Sequence, residues 1–171
     1  RCDSRDVVYA FGLTWRDCFP PKEPTAAGSK ITAVYDYKDQ DGVLRFQVCR
    51  IEPGKDGRAK DFRQRQPDGA GGFTWKTKGL VKFPYRLMEI AAEKGKPVWI
   101  VEGEKQVDYL RSLGLTATCN PGGAGKWLKS YAKYFEGRDV VVIPDADQKK
   151  EKTGKIVGAA HAKEVADSLI G

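Results

Sequence analysis

The chain has 171 residues, 40% hydrophobic and 31% charged. That is enough for one ordinary domain, or two small packed subdomains, with an apolar core that needs no disulfides. No apolar run approaches the roughly 18 residues of a membrane span, which excludes a transmembrane role. The formal net charge is +7 and it is unevenly spread: residues 42–88 carry eleven Lys or Arg against four Asp or Glu, and residues 101–171 carry eleven against ten. A basic surplus concentrated in one segment points to a polyanionic partner, with a solvated basic face as the alternative.

Residues 1–30 read as a connector: a short amphipathic stretch around residues 7–11, then Thr14-Trp15-Arg16-Asp17-Cys18-Phe19-Pro20-Pro21, then a Pro, Ala and Gly linker. Short alternating segments follow at residues 31–37, 43–51, 60–66 and 73–76, with Asp39-Gln40-Asp41-Gly42 as a turn between the first two. Alternation with turn residues between predicts hairpins of a twisted antiparallel sheet. Pro84 sits where a first helical turn begins, and Tyr85, Leu87, Met88, Ile90 and Ala91 predict a helix that Gly95 ends.

Three apolar runs, residues 98–101, 115–119 and 140–143, then alternate with segments of helical spacing. Val107, Leu110 and Leu113 share a face of the first predicted helix, which Gly114 stops. Trp127, Leu128, Tyr131 and Phe135 share a face of the second, and Ile156, Ala160, Val165 and Leu169 of the third. Such a βαβαβα series forces parallel pairing, so the fold class is α/β: a small Rossmann-like parallel sheet coated by helices, preceded by a small, basic, β-rich α+β subdomain.

In an open parallel sheet, ligands bind beyond the carboxyl ends of the strands. The first strand runs into Glu102-Gly103, and the third runs through Pro144 into Asp145-Ala146-Asp147. If those strands are neighbours, Glu102, Asp145 and Asp147 converge. Like charges about 4 Å apart repel by roughly 4 kcal/mol at an effective dielectric of 20, so the cluster calls for a cation or a raised pKa. A hard divalent ion such as Mg²⁺ is the expected cofactor, since it accepts a few carboxylates and leaves positions for water and phosphate oxygens. Lys149 and Lys150 occupy positions that an EF-hand reserves for a ligand and a glycine, which excludes that motif.

The run Asn120-Pro121-Gly122-Gly123-Ala124-Gly125-Lys126-Trp127 fails the Walker A pattern at both ends. It reads as a phosphate-meeting turn with Lys126 as its cation, or as a plain flexible turn. Cys2, Cys18, Cys49 and Cys119 lie far apart without a Cys-x-x-Cys pair, which favours free structural thiols and a cytoplasmic setting over a zinc site. His161 is the only histidine and is expected at the surface of the last helix.

With Val101-Glu102-Gly103-Glu104-Lys105, the glycine-rich turn and Ile143-Pro144-Asp145-Ala146-Asp147 in this order, the second half resembles the TOPRIM domain of primases, topoisomerases, OLD-family and RNase M5-like nucleases and RecR-like recombination mediators. The resemblance implies Mg²⁺ or Mn²⁺ at Asp145 and Asp147, with Glu102 as a further ligand or general acid/base. Tyr35-Asp36-Tyr37, residues 44–50, residues 60–69 and Tyr85-Arg86-Leu87 look like the basic N-terminal subdomain of primases encoded by phages, prophages and plasmids.

That family implies three parts: a connector over residues 1–30 following a zinc-binding domain outside this sequence, a basic subdomain over residues 31–95, and a TOPRIM domain over residues 96–171 whose closing fourth strand is not identified here. The implied activity is metal-dependent synthesis of RNA primers on single-stranded DNA from nucleoside triphosphates. A replicative helicase, separate or fused, would be its partner in a bacterial or phage-infected cell. Arg50, Lys60, Arg63, Arg65 and Lys126 would then contact nucleic acid or nucleotide, Arg63 and Arg65 sharing one strand face while Lys60 caps the hairpin. Trp75 and Phe62 are candidates for stacking on bases, with a core role as the alternative. Two other functions stay open: a TOPRIM-type nuclease with water as nucleophile, and a non-catalytic DNA-binding module.

Overall fold

The computed structural model describes residues 28–144 and 157–170. Asp145, Asp147, Ile156, Cys2 and Cys18 therefore lie outside the described residues. The chain divides into a unit over Arg1–Lys30 and a unit over Ile31–Gly171, and the architecture below is that of the second.

Four strands, β1 (Lys30–Lys38), β2 (Leu44–Glu52), β3 (Asp61–Pro67) and β4 (Phe73–Thr74), form one sheet in the order β1-β2-β3-β4. The turn predicted between β1 and β2 is built by Asp39, whose Oδ1 accepts the Asp41 and Val43 amides at 3.1 and 2.9 Å, while Gly42 takes φ +80°. A glycine tolerates that left-handed geometry at little cost. Asp68 holds the β3 to β4 turn in the same manner, its Oδ1 accepting Ala70 and Gly72 amides at 2.9 Å each. β2 and β3 are antiparallel, with Gln47 opposite Arg65 and Arg50 opposite Phe62.

After α1 (Leu87–Ala92) come β5 (Val98–Ile100), α2 (Glu104–Ser112), β6 (Thr116–Thr118), a 3-10 helix (Lys129–Tyr134), β7 (Val140–Val142) and α3 (Val157–Ile170). The three strands are parallel in the order β6-β5-β7, so β5 is central. The fold is thus mixed α/β, with an antiparallel sheet and a separate parallel sheet.

The pleat of β5 divides the core. Val98 and Ile100 point into one cluster with Ile90, Trp127, Tyr131, Phe135 and Val165. Trp99 and Val101 point into another with Val107, Ala117 and Cys119, and with Tyr35, Tyr37, Phe46 and Val48 from the antiparallel sheet. Helices alone were expected on both faces of the parallel sheet. Instead, the antiparallel sheet and α2 cover one face together, because the inward residues of β1 and β2 are aromatic: Phe46 stacks on Tyr37 at 4.3 Å and meets Phe83 edge-on at 5.3 Å.

Three helical expectations change. α1 begins at Leu87 rather than Pro84, since Arg86 before it adopts φ 59°. The second helix is a six-residue 3-10 turn between Leu128, which remains extended, and Gly137, which turns at φ +66°. Tyr131 within it and Trp127 and Phe135 on either side of it are buried, whereas Leu128 is exposed. Leu113 and Ala160 are also exposed, Leu113 because α2 closes at Ser112 and Gly114 turns away at φ +83°. Arg138 ties the C-terminal side of α1, donating to the carbonyls of Ile90, Glu93 and Lys96 at 2.8 to 2.9 Å. No described helix is long and apolar enough to cross a membrane.

A polar link crosses the aromatic core. Tyr37 donates its hydroxyl to Oε1 of Glu104 at 2.9 Å, and both side chains are buried. Burial holds the Glu104 carboxyl above its ordinary value and pushes the neighbouring Cys119 thiol well up. The folded chain therefore keeps a proton on Glu104 that the unfolded chain releases near the usual pKa of about 4.3. That contribution to stability is present below this value and is lost as pH rises through the raised one. Glu104→Gln, which does not titrate, is expected to gain stability relative to the parent as pH rises from 4 to 7; urea midpoints across that range check it, and a constant difference would refute it.

Candidate functional site

The carboxyl edge of the parallel sheet is built by register. β5 continues beyond its last paired residue, with the Val101 amide on the Thr118 carbonyl at 3.0 Å and the Ile143 amide on the Ile100 carbonyl at 2.9 Å. The chain thus leaves β5 at Glu102 beside the point where its neighbour β7 leaves at Pro144. Glu102 is half-buried and lines a crevice with Ile143 and Pro144 on one side and His161, Ala162 and Val165 of α3 on the other. The adjacency of β5 and β7, on which convergence of the three acids depends, is present. Asp145 and Asp147 follow Pro144 in sequence and lie outside the described residues.

Next to β5, β6 ends in the glycine-rich turn. Asn120 is almost wholly buried; its Nδ2 donates to the Gly123 carbonyl at 2.8 Å, and its Oδ1 has no partner among the described residues. Gly122, Gly123 and Gly125 take φ of +94°, +74° and +72°, a succession that side chains would strain. The Gly125 amide is not turned outward for a phosphate. It donates to Nδ1 of His161 at 3.2 Å. His161, expected at the surface, is only 6% exposed, because α3 packs that flank against the strand ends. Lys126 is exposed, and a side chain at Gly122 would touch both its stem and the amide of Gln64 from β3. The glycine turn and the basic sheet therefore meet.

On the other face of β3, Arg63 and Arg65 project together, as strand alternation requires. The Arg63 guanidinium lies 4.3 Å from the ring centre of Trp75, and Arg65 lies 4.3 Å from Phe73 and 5.7 Å from Trp75. Both aromatics remain 39% exposed, so cations and rings alternate on an open surface. Arg65 also donates Nε to Gln47 Oε1 at 2.7 Å, and Gln47 donates to Asp36 at 2.6 Å, which orients the guanidinium. Arg50 is opposite Phe62 on the reverse face and is paired with Glu52 at 2.5 Å. Lys60 precedes β3 and lies 5.9 Å from the Phe62 ring. Phe73 was not singled out from the sequence; its two-residue offset from Trp75 on a strand opposite Arg65 was the available signal.

Comparison with protein-family models, curated proteins and solved structures gave no match. Among the described residues no group of three or more His, Cys, Asp or Glu comes together to hold a metal. The thiols of Cys49, on β2, and Cys119, directly after β6, are free and buried.

Proposed function

We propose that this chain is a TOPRIM primase catalytic core, making RNA primers on single-stranded DNA with Mg²⁺ or Mn²⁺ bound by Glu102, Asp145 and Asp147. The observation that carries the reading is Glu102 at the carboxyl end of the central parallel strand, beside the strand that runs toward Asp145-Ala146-Asp147. A divalent ion held there supplies charge stabilisation to phosphate oxygens during transfer. Lys126, exposed on the turn next to this edge, would meet nucleotide phosphates. The three-part organisation over residues 1–30, 31–95 and 96–171, and the partnership with a helicase, belong to the same reading.

Primer synthesis rather than another TOPRIM chemistry is favoured by the basic sheet that shares the core with the parallel sheet. The exposed rings of Phe73 and Trp75 would stack on unpaired bases, with Arg63 and Arg65 on the phosphates between them. Trp75→Ala is expected to weaken single-stranded DNA binding by about 1–3 kcal/mol. Arg63→Ala is expected to reduce the slope of log affinity against log salt by about 0.7. Fluorescence anisotropy across a salt series measures both, and unchanged affinity and slope would remove this face from the interface.

The activity test incubates the protein with single-stranded DNA, labelled ribonucleotides and Mg²⁺ or Mn²⁺. Short RNA products support the proposal. Shortened DNA would replace it with a nuclease, and a shifted band with no product would replace it with a binding module.

A further inference from the structure

Strand alternation puts Gln47 and Cys49 of β2 opposite Arg65 and Arg63 of β3, on the side of the antiparallel sheet away from Phe46 and Val48. Phe73, opposite Pro67, is on that same outer side. No described helix or strand covers it: Thr32, Val34, Asp36 and Lys38 of β1, Arg45 of β2 and Arg63 are all exposed. Among the described residues neither Arg63 nor Arg65 has an acidic partner, and Asp36, the acid of β1 on this face, is turned to Gln47. Two guanidiniums without a counter-ion therefore lie against two exposed rings, Arg65 near both Phe73 and Trp75 and Arg63 near Trp75.

This face is on the far side of the sheet from the candidate site. Phe46 and Val48 point the other way, into the cluster that holds Val101, and Gln64, opposite Val48, is the β3 residue that the glycine turn approaches. In a duplex the bases stack on one another about 3.4 Å apart and offer only their edges and the backbone. Rings that alternate with cations reach such bases only by first pulling them apart. An unpaired strand has free base faces for the rings and phosphates for the guanidiniums. From this geometry we infer that the outer face is a distal anchor for unpaired template alone. It grips single-stranded DNA away from the carboxyl edge and does not hold the RNA–DNA hybrid that synthesis at that edge would make. The inference rests on the primase reading and on the single-strand interface proposed above.

The test measures anisotropy with three labelled probes: an oligothymidylate, a blunt RNA–DNA hybrid of the same length, and that hybrid with a single-stranded thymidylate overhang. The parent chain is expected to bind the first and third alike and the blunt hybrid more weakly. Trp75→Ala should weaken binding of the first and third by about 5–150-fold and leave the blunt hybrid unchanged. Trp75→Phe, which keeps a ring, should recover most of that loss. An equal loss on all three probes would overturn the inference and leave the face as a nucleic-acid interface without strand preference. Unchanged binding of every probe in Trp75→Ala would remove the interface and the inference together. Binding needs no synthesis, so failure of the primase reading shows separately, as absence of RNA product. A second readout uses the parent chain and is independent of any variant's folding: a photoreactive thymidine placed singly along the overhang probe. Cross-links to β3 and the segment after it, residues 61–75, are expected from the overhang, and cross-links there from within the hybrid would overturn the inference.

Discussion

Replacing Glu102 with Ala is expected to lower metal-dependent nucleotide incorporation by on the order of 10³-fold, since a metal that stabilises phosphoryl charge contributes several kcal/mol. The carboxylate sits after Val101, at the end of a strand hydrogen-bonded on both sides, so the substitution removes a group at the sheet edge without disturbing the clusters packed against β5. Its urea midpoint should therefore remain close to the parent's. Asp145→Ala combined with Asp147→Ala is expected to act in the same direction. Single-turnover incorporation at saturating Mg²⁺, alongside equilibrium unfolding, separates lost chemistry from lost structure. Undiminished synthesis in Glu102→Ala would remove this edge as the reaction centre.

Phe46→Ala is expected to destabilise the fold by about 3–5 kcal/mol, the usual cost of deleting a wholly buried aromatic. Phe46 has no exposed surface, stacks on Tyr37 and packs against Phe83. Those rings belong to the cluster that also holds Val101 and Val107 beside the candidate site. The consequence reaches further than the antiparallel sheet. Because one cluster serves both sheets, the loss should appear in both at once, as coincident hydrogen-exchange acceleration in β2 and β5 and a single unfolding transition at lower urea. Selective loss of protection in β1 to β3, with β5 to β7 unchanged, would show that the two sheets are independently stable.

These two effects differ because Glu102 and Phe46 occupy different kinds of position, and the sequence distinguishes them well. Period-2 alternation over residues 31–51 and the Asp39 to Gly42 turn were enough to locate β1 and β2. The apolar runs near residues 98, 116 and 140 located the three parallel strands, since short buried strands are continuous apolar segments. Local chemistry is also what puts Glu102 at a strand end.

The helical assignments were less legible: Trp127, Tyr131 and Phe135 have helical spacing, but only Tyr131 sits in a helix, the 3-10 turn, and the other two flank it. Spacing reports which side chains share a face. It does not report whether the backbone winds as an α-helix or as a 3-10 helix.

What the sequence determined by itself is therefore local: the strands, the turns that Asp39, Gly42 and Gly114 make, the basic surplus on one segment, and the acids at the ends of apolar runs. Each depends on residues within one or two turns of one another. Only the tertiary structure decided that β5 is central with β7 beside it, that an aromatic sheet joins α2 in covering one of its faces, and that Arg63 and Arg65 alternate with Phe73 and Trp75. It also buried the lone His161 against Gly125, 36 residues away. Such pairings are set by long-range packing of apolar faces, and no short-range pattern encodes which distant partner fills a given face.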